Sequence, residues 1–256
     1  MNIQNQNLRR QSGRTRPLLL IAACVLIRAG VSAQAKDGAI QCGNLVYAGT
    51  HTSRCFSPEF LSTVQRETAV ATERRFKSVK LGSDELFGFP FVVMTGEADF
   101  TLTRKERQNL RRYLQSGGFI LASAGCSSKE WDTAFRREIA KVFDDKKTPI
   151  EKADEEPVKT TEENEAGKKP GKLEKIDMKH PMFSSFYTIE TLTLSHKAAL
   201  PPSLEGLIIE DKIVLIYSPH GLNDTAHAEG CCCCGGNEIK NSMQVNVNIL
   251  IYALLH

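Results

Sequence analysis

The chain has 256 residues, of which 41% are hydrophobic and 25% are charged. These values are typical of a globular protein with a proper core, and the length suits one large domain or two small ones. The formal net charge is only +3, and much of the basic excess lies near the N-terminus. The charge therefore gives no indication of a nucleic-acid partner.

The first 35 residues predict a cleavable export signal. Arginines at positions 9, 10, 14 and 16 precede an apolar run at 17–27, and Ala33-Gln34-Ala35 matches a small-x-small cleavage pattern. A membrane-spanning helix is excluded because it needs about 20 apolar residues, and Arg28 interrupts the run. We expect an exported protein, in the periplasm or cell envelope, with no transmembrane helix after signal removal.

Two alternatives remain for this N-terminal segment. Ile21-Ala22-Ala23-Cys24 resembles a lipoprotein box, which would acylate Cys24 and tether the protein to a membrane. Arg9-Arg10 is similar to the start of a twin-arginine signal. We prefer simple cleavage, because the residues after Cys24 are apolar and the rest of the twin-arginine motif is missing.

Strand and helix patterns then alternate along the chain. Residues 43–49 predict a short buried strand, Ser57-Pro58 opens a helix, residues 76–81 predict an edge strand, and the apolar run 90–96 predicts a central strand. Thr103 and Glu106 form a capping box at the start of a helix that Gly117-Gly118 ends. Residues 119–124 predict a further buried strand, and residues 127–130 repeat the capping-box pattern. This alternation predicts a three-layer α/β/α fold with a mainly parallel sheet, flavodoxin-like or amidotransferase-like.

The composition changes at about 144–177, where charged residues dominate, and we expect a disordered insertion there. A hairpin at 204–209 and 213–218 and an apolar helix at 243–255 follow. We therefore expect one α/β domain over residues 41–256.

A ligand site is expected beyond the carboxyl ends of the parallel strands, where several loops would meet. The polar residues of these loops that could bind a ligand are His51, Glu97, Asp99, Ser127, His220, Asn223 and Asp224. Such residues also serve as loop hydrogen-bonding groups, and Glu97 with Asp99 more often caps a following segment.

Cys126 is the candidate nucleophile, because it stands between a buried strand and a predicted helix N-terminus. A thiol nucleophile needs a base that is held by an acid, and His227 and Glu229 follow in a suitable order. The alternative is a half-buried structural cysteine beside an unrelated histidine.

The run Cys231, Cys232, Cys233 and Cys234 is unusual. Alternate members could form disulfides with Cys42 or Cys55, and two of them could bind zinc or copper(I) together with His220, Asp224 or His227. Unpaired or strained vicinal thiols are the third alternative. Removal of Cys24 with the signal leaves an odd number of cysteines, so at least one is unpaired, metal-bound or shared.

Several stretches taken together resemble a bacterial family, the domain-of-unknown-function family 4159. They are FPFVVMTGEADFTLTRKERQNLRRYLQSGGFILASAGCSS, WDTAFRREIAKVF, HPMF and IVLIYSP. The resemblance covers residues 41–256 apart from the insertion, and it implies a relation to class I glutamine amidotransferase-like and ThuA-like domains. It would place Cys126 at the position of the amidotransferase nucleophile, and it would match His227 and Glu229 to the H-x-E motif of those enzymes. The amidotransferase elbow reads G-x-C-x-G, whereas here Ala124 and Ser128 replace both glycines.

Three functions follow from these patterns. The first is a non-catalytic envelope module that binds a small molecule or an envelope protein. The second is a thiol hydrolase or amidotransferase that uses Cys126. The third is a metal- or redox-handling protein centred on the cysteine run. The missing glycines and the predicted export favour the first.

Overall fold

A computed structural model of the chain describes residues 38–52, 56–144, 171–195, 201–223 and 238–256. Contacts divide the chain into Met1–Ala35 and Lys36–His256, and every described residue belongs to the second unit. The predicted export signal, including Cys24, therefore lies outside the described residues.

The described residues form eight strands and four α-helices. The strands are β1 (Gly43–Tyr47), β2 (His51–Thr52), β3 (Lys77–Lys80), β4 (Phe91–Gly96), β5 (Phe119–Ala124), β6 (Leu173–Lys175), β7 (Glu205–Ile209) and β8 (Lys212–Ser218). The helices are α1 (Glu59–Glu67), α2 (Arg104–Gln115), α3 (Lys129–Asp144) and α4 (Ser242–Leu255). Within this part of the chain, no helix is both long and apolar enough to cross a membrane.

All eight strands belong to one sheet, with the order β2-β1-β4-β5-β8-β7-β6 and with β3 paired to β1 outside that order. The pairs β1–β3, β1–β4, β4–β5 and β5–β8 are parallel, whereas β1–β2, β6–β7 and β7–β8 are antiparallel. The prediction that the runs 43–49, 90–96 and 119–124 are neighbouring parallel strands is confirmed.

Helices cover both faces of this sheet, so the fold is a three-layer α/β/α arrangement. Leu110 of α2 and Phe135 of α3 share one apolar cluster with Met94 and Ile120. The second cluster contains Phe60 of α1, Ile249 of α4, and the strand residues Val93 and Leu121. Alternate residues of β4 and β5 enter opposite clusters, which explains why both strands are mostly apolar and have no clear alternation of apolar and polar residues.

The capping box at the start of α2 is confirmed. The Thr103 hydroxyl accepts the Glu106 N–H, and the Glu106 carboxylate accepts the Thr103 N–H at 2.8 Å. Gly117 after α2 has φ +89°, which is the left-handed conformation expected of a helix-ending glycine.

Two details differ from the sequence predictions. The capping residue of α3 is Ser128 and not Ser127, since the Ser128 hydroxyl accepts the Trp131 N–H at 3.3 Å. The stretch predicted as a disordered insertion ends in β6, which pairs with β7. The many charged residues around β6 conceal this strand in the sequence pattern. Pairing with β7 needs only the backbone groups of β6, so it does not require an apolar run.

Candidate functional site

The carboxyl ends of β4, β5 and β8 are adjacent because these strands are parallel neighbours. Their loops bring together four polar side chains, and a short segment that precedes α4 adds a fifth, Glu238, through a bridge between Gly221 and Glu238. We call this group the strand-end site. Its members are Glu97, Cys126, Ser127, His220 and Glu238.

A buried aromatic pair supports the strand ends beneath this site. The Trp131 Nε1–H donates to the Tyr47 hydroxyl at 2.7 Å, and that hydroxyl donates to the Thr95 carbonyl at 3.0 Å. Burial raises the pKa of Tyr47 to about 12, so the phenol stays protonated and continues to donate. These bonds connect β1, β4 and α3, and they hold the strand ends in a fixed relation.

The turn that follows β5 has an unusual backbone. Cys126 has φ 52° and ψ 26°, and Ser127 has φ 55°, so two consecutive residues with side chains adopt the left-handed conformation. Such conformations cost roughly 1 kcal/mol or more each and persist where the surrounding structure fixes them. Here the Ser128 N–H donates to the Gly125 carbonyl at 3.0 Å and closes the turn.

Cys126 contacts a carboxylate. Its Sγ donates to Oε1 of Glu97 at 3.5 Å. The Ser128 hydroxyl also donates to the backbone carbonyl of Glu97, so that residue is bound to the β5–α3 turn through both its side chain and its main chain. A negative charge beside a thiol favours the protonated thiol over the thiolate. In this geometry Cys126 is a hydrogen-bond donor.

Ser127 and His220 form a second pair. The Ser127 Oγ lies 3.3 Å from Nδ1 of His220, and the loop that carries the imidazole is fixed because the His220 N–H donates to the Ser218 hydroxyl at 3.2 Å. Burial lowers the pKa of His220, and the negative charge of Asp132 opposes part of that decrease. Burial therefore favours the neutral form of the imidazole.

Glu238 is the functional candidate that the sequence did not reveal. Its side chain is only 6% exposed, and its Oε2 accepts the Asn223 N–H at 3.3 Å. Burial raises the pKa of Glu238 to about 7, the backbone N–H groups of Asn223 and Cys126 oppose this increase, and the charge of Glu97 adds to it. No described residue makes a hydrogen bond of ordinary geometry to Oε1. No local pattern marks this residue, because its importance comes from contacts with distant loops.

Three other predicted site residues have different roles. His51 lies in β2 and stacks on Tyr47, with ring centroids 5.8 Å apart. Asp99 forms an ion pair with Arg137 at 3.1 Å and is 64% exposed, so it does not enter the strand-end site. Asn223 is buried and contributes backbone groups, since its carbonyl accepts the Ser242 hydroxyl at 3.3 Å.

The remaining candidates lie outside the described residues. They are Asp224, His227, Glu229 and the cysteines Cys231, Cys232, Cys233 and Cys234. Cys42 and Cys126, which are described, are thiols and not halves of a disulfide, so the expected pairing of Cys42 with the run is not shown. The described residues contain no group of three or more His, Cys, Asp or Glu side chains that could hold a metal ion.

Comparison with known proteins finds a match to one family model. No curated protein matches the chain. The family model described as "Domain of unknown function (DUF4159)" matches residues 43–163, a region that extends from β1 through the β5 turn and α3. This match includes Glu97, Cys126 and Ser127 of the strand-end site, and it supports the assignment of the chain to the DUF4159 family.

Proposed function

We propose that this domain is a binding module that takes a polar ligand at the strand-end site. The observation that carries the proposal is the hydrogen bond from the Cys126 thiol to Glu97. A thiol nucleophile is activated by a neighbouring base or cation, whereas Glu97 accepts the thiol proton in a hydrogen bond and favours the protonated form. Cys126 then acts as a recognition group.

The chemistry of the site favours a ligand that donates hydrogen bonds. Glu97 and Glu238 are acceptors when ionised, and the neutral imidazole of His220 offers at most one acceptor and one donor. None of the five residues of the site is a lysine or an arginine. A small amide or amine therefore complements the site better than a carboxylate or phosphate does.

Nuclear magnetic resonance of the ¹⁵N-labelled mature chain tests this preference. Acetamide and methylamine are the probes, and acetate and inorganic phosphate represent the opposite class. We expect the amide or amine probes to shift the backbone signals of Glu97, Cys126 and His220, and Glu97→Gln to weaken binding about tenfold or more, the usual effect of losing a charge-assisted hydrogen bond. Glu130→Gln, which changes an exposed carboxylate of α3, is the matched control. Equal responses to all four probes, or no effect of Glu97→Gln, would contradict the proposal.

A second candidate function is a thiol-dependent hydrolase or amidotransferase. The left-handed backbone of Cys126, between a buried strand and the 16-residue helix α3, favours it. In that mechanism His227 would be the base and Glu229 would orient it, and a relation to class I glutamine amidotransferases would be expected. Ammonia release from glutamine that disappears in both Cys126→Ala and His227→Ala would support this candidate over the binding module.

We also propose that the mature protein works outside the cytoplasm, in the periplasm or envelope. Support comes from the basic and apolar segments that precede Ala33-Gln34-Ala35. N-terminal sequencing of protein from an envelope fraction should give a chain that begins after Ala35. A lipid label that is lost in Cys24→Ser would instead show the lipoprotein alternative.

A further inference from the structure

The pair formed by Ser127 and His220 has no role in the binding proposal beyond hydrogen bonding. The Ser127 Oγ and the His220 Nδ1 lie 3.3 Å apart, although 93 positions separate the two residues in the chain. Both side chains are partly exposed, so solvent and a small ligand can reach them. A hydroxyl within hydrogen-bond reach of a neutral imidazole is the basic unit of nucleophilic serine chemistry.

We infer that Ser127 is a nucleophile, with His220 as its general base, that accepts the acyl group of small esters. The inference goes beyond the proposed binding function because it assigns a reaction to the same face of the sheet. It also differs from the thiol mechanism, since it uses neither Cys126 nor His227.

The surroundings of His220 suit a general base. Burial lowers the pKa of this histidine and so favours its neutral form, and in the tautomer with the proton on Nε2 the Nδ1 atom accepts the Ser127 hydroxyl proton. The negative charge of Asp132 favours the imidazolium that forms during the reaction. Arg136 Nε donates to Asp132 at 2.8 Å and the Tyr217 hydroxyl also donates to it, so this carboxylate has a fixed position.

The backbone also suits a nucleophile. Ser127 is held in the left-handed conformation at a turn that leads from the buried strand β5 to α3. The helix α3 begins two residues later and has 16 residues, so the negative charge that develops in the reaction arises close to the positive end of a helix dipole.

The reaction balances without a cofactor. The Ser127 Oγ attacks the ester carbonyl carbon while its proton passes to Nδ1 of His220. The C–O bond to the alcohol breaks, the leaving alkoxide takes the proton from the imidazolium, and Ser127 carries the acyl group. Water, deprotonated by the same imidazole, then attacks the acyl carbon, and the carboxylic acid leaves as Ser127 recovers its proton.

The test uses the full mature chain with p-nitrophenyl acetate and with a fluorophosphonate probe, followed by peptide mass mapping. We expect the fluorophosphonate to modify Ser127 and not the exposed Ser184, and His220→Gln to slow the reaction about 100-fold or more, as expected for loss of a general base. Ser127→Ala and Ser127→Gly should both abolish modification. Glycine adopts the left-handed backbone without steric cost, so hydrolysis of p-nitrophenyl acetate that is lost in both variants reports the missing hydroxyl and not a strained turn.

The pH dependence adds a signature that a merely structural histidine would not give. Because burial lowers the pKa of His220, the rate should fall on acidification with a midpoint below the 6.5 of an ordinary histidine. Modification of Cys126 in place of Ser127, equal labelling of exposed serines, or an unchanged rate in His220→Gln would overturn the inference. Acetamide shifts without fluorophosphonate modification of Ser127 would overturn the acylation and leave the binding proposal standing, whereas modification of Ser127 with equal responses to all four probes would do the reverse, so each proposal can fail alone.

Discussion

The carboxylate of Glu238 occupies the space beside Gly221 where any other residue would carry a Cβ atom. Its Oε2 lies 1.8 Å and its Oε1 2.0 Å from the position that such a Cβ would take. The backbone pairs at the same point, because the Ile239 N–H donates to the Gly221 carbonyl at 2.9 Å. The absence of a side chain at Gly221 therefore allows Glu238 to reach the strand-end site.

Gly221→Ala should destabilise the protein, because the added methyl group and the carboxylate cannot both fit. Overpacking of a buried site typically costs about 1–3 kcal/mol, and urea denaturation should show a lower midpoint with an unchanged slope. Gly88→Ala is the matched control, since nothing lies within 4 Å of its Cβ position. Equal stability of the two variants would show that the Gly221–Glu238 contact is not fixed.

The raised pKa of Glu238 predicts a pH-dependent stability. The folded chain holds this proton up to about pH 7, whereas an unfolded glutamic acid releases it near 4.5. The folded state therefore binds more protons between these values, and the free energy of unfolding decreases as pH rises through this window. The effect at pH 8 is on the order of 3 kcal/mol, from about 1.4 kcal/mol for each pKa unit.

Glu238→Gln isolates this contribution, because the neutral amide has a similar shape and does not titrate. The difference in unfolding free energy between the variant and the natural chain should grow from pH 5 to pH 8 in favour of the variant. Lowered pKa values at His180 and His220 act in the opposite direction, and they cancel in this difference because both proteins contain them. A difference that is independent of pH would show that Glu238 is ionised throughout.

The central sheet could be predicted because the sequence patterns that specify its strands and helices lie within each element. The apolar runs of β4 and β5 have side chains that are buried on both faces, and the pair Thr103 and Glu106 marks the start of the connecting helix. Short links between such elements leave little choice other than neighbouring parallel strands. The approximate position of Cys126 and Ser127 followed directly from this arrangement.

The partners of these residues could not be predicted, because they depend on distant loops. Sequence order suggested His227 for Cys126, and His227 lies outside the described residues, so that pairing stays a prediction; the contact of the thiol with Glu97 on the neighbouring strand end was not predicted. Glu238 has no helical or strand periodicity that distinguishes it from a surface carboxylate. Asp99 follows β4 closely enough to belong to the site, but it forms an exposed ion pair with Arg137 of α3 instead.

Glu106 should contribute more to stability than its role in the capping box suggests. Besides the Thr103 N–H, its carboxylate accepts the Thr103 hydroxyl at 2.9 Å and the Ala48 N–H at 2.7 Å, and thus ties α2 to the end of β1. Thr103→Ala removes one cap and should cost about 1 kcal/mol. Glu106→Ala also leaves the Ala48 N–H without its charged acceptor and should cost about 3 kcal/mol.

Thermal and urea denaturation of the two variants check this order. Lys105→Ala, on the exposed side of the same helix, is the control and should change the unfolding free energy by less than about 0.5 kcal/mol. If Thr103→Ala proved as costly as Glu106→Ala, the contact between Glu106 and Ala48 would add nothing to the cap.

The two described cysteines should differ strongly in reactivity. Cys42 is fully buried in an apolar cluster, and burial raises its pKa to about 12, so an alkylating reagent can reach its thiolate only after the core opens. Cys126 is partly exposed at the strand-end site. Iodoacetamide should modify Cys126 readily in the native protein, and it should modify Cys42 at least about 1000-fold more slowly, since core opening costs several kcal/mol. Peptide mass mapping measures both rates.

In strong denaturant the two rates should converge, which provides the control for intrinsic reactivity. Rapid alkylation of native Cys42 would contradict its burial, and a disulfide between Cys42 and the run Cys231 to Cys234 in exported protein would show that oxidation rearranges this part of the core.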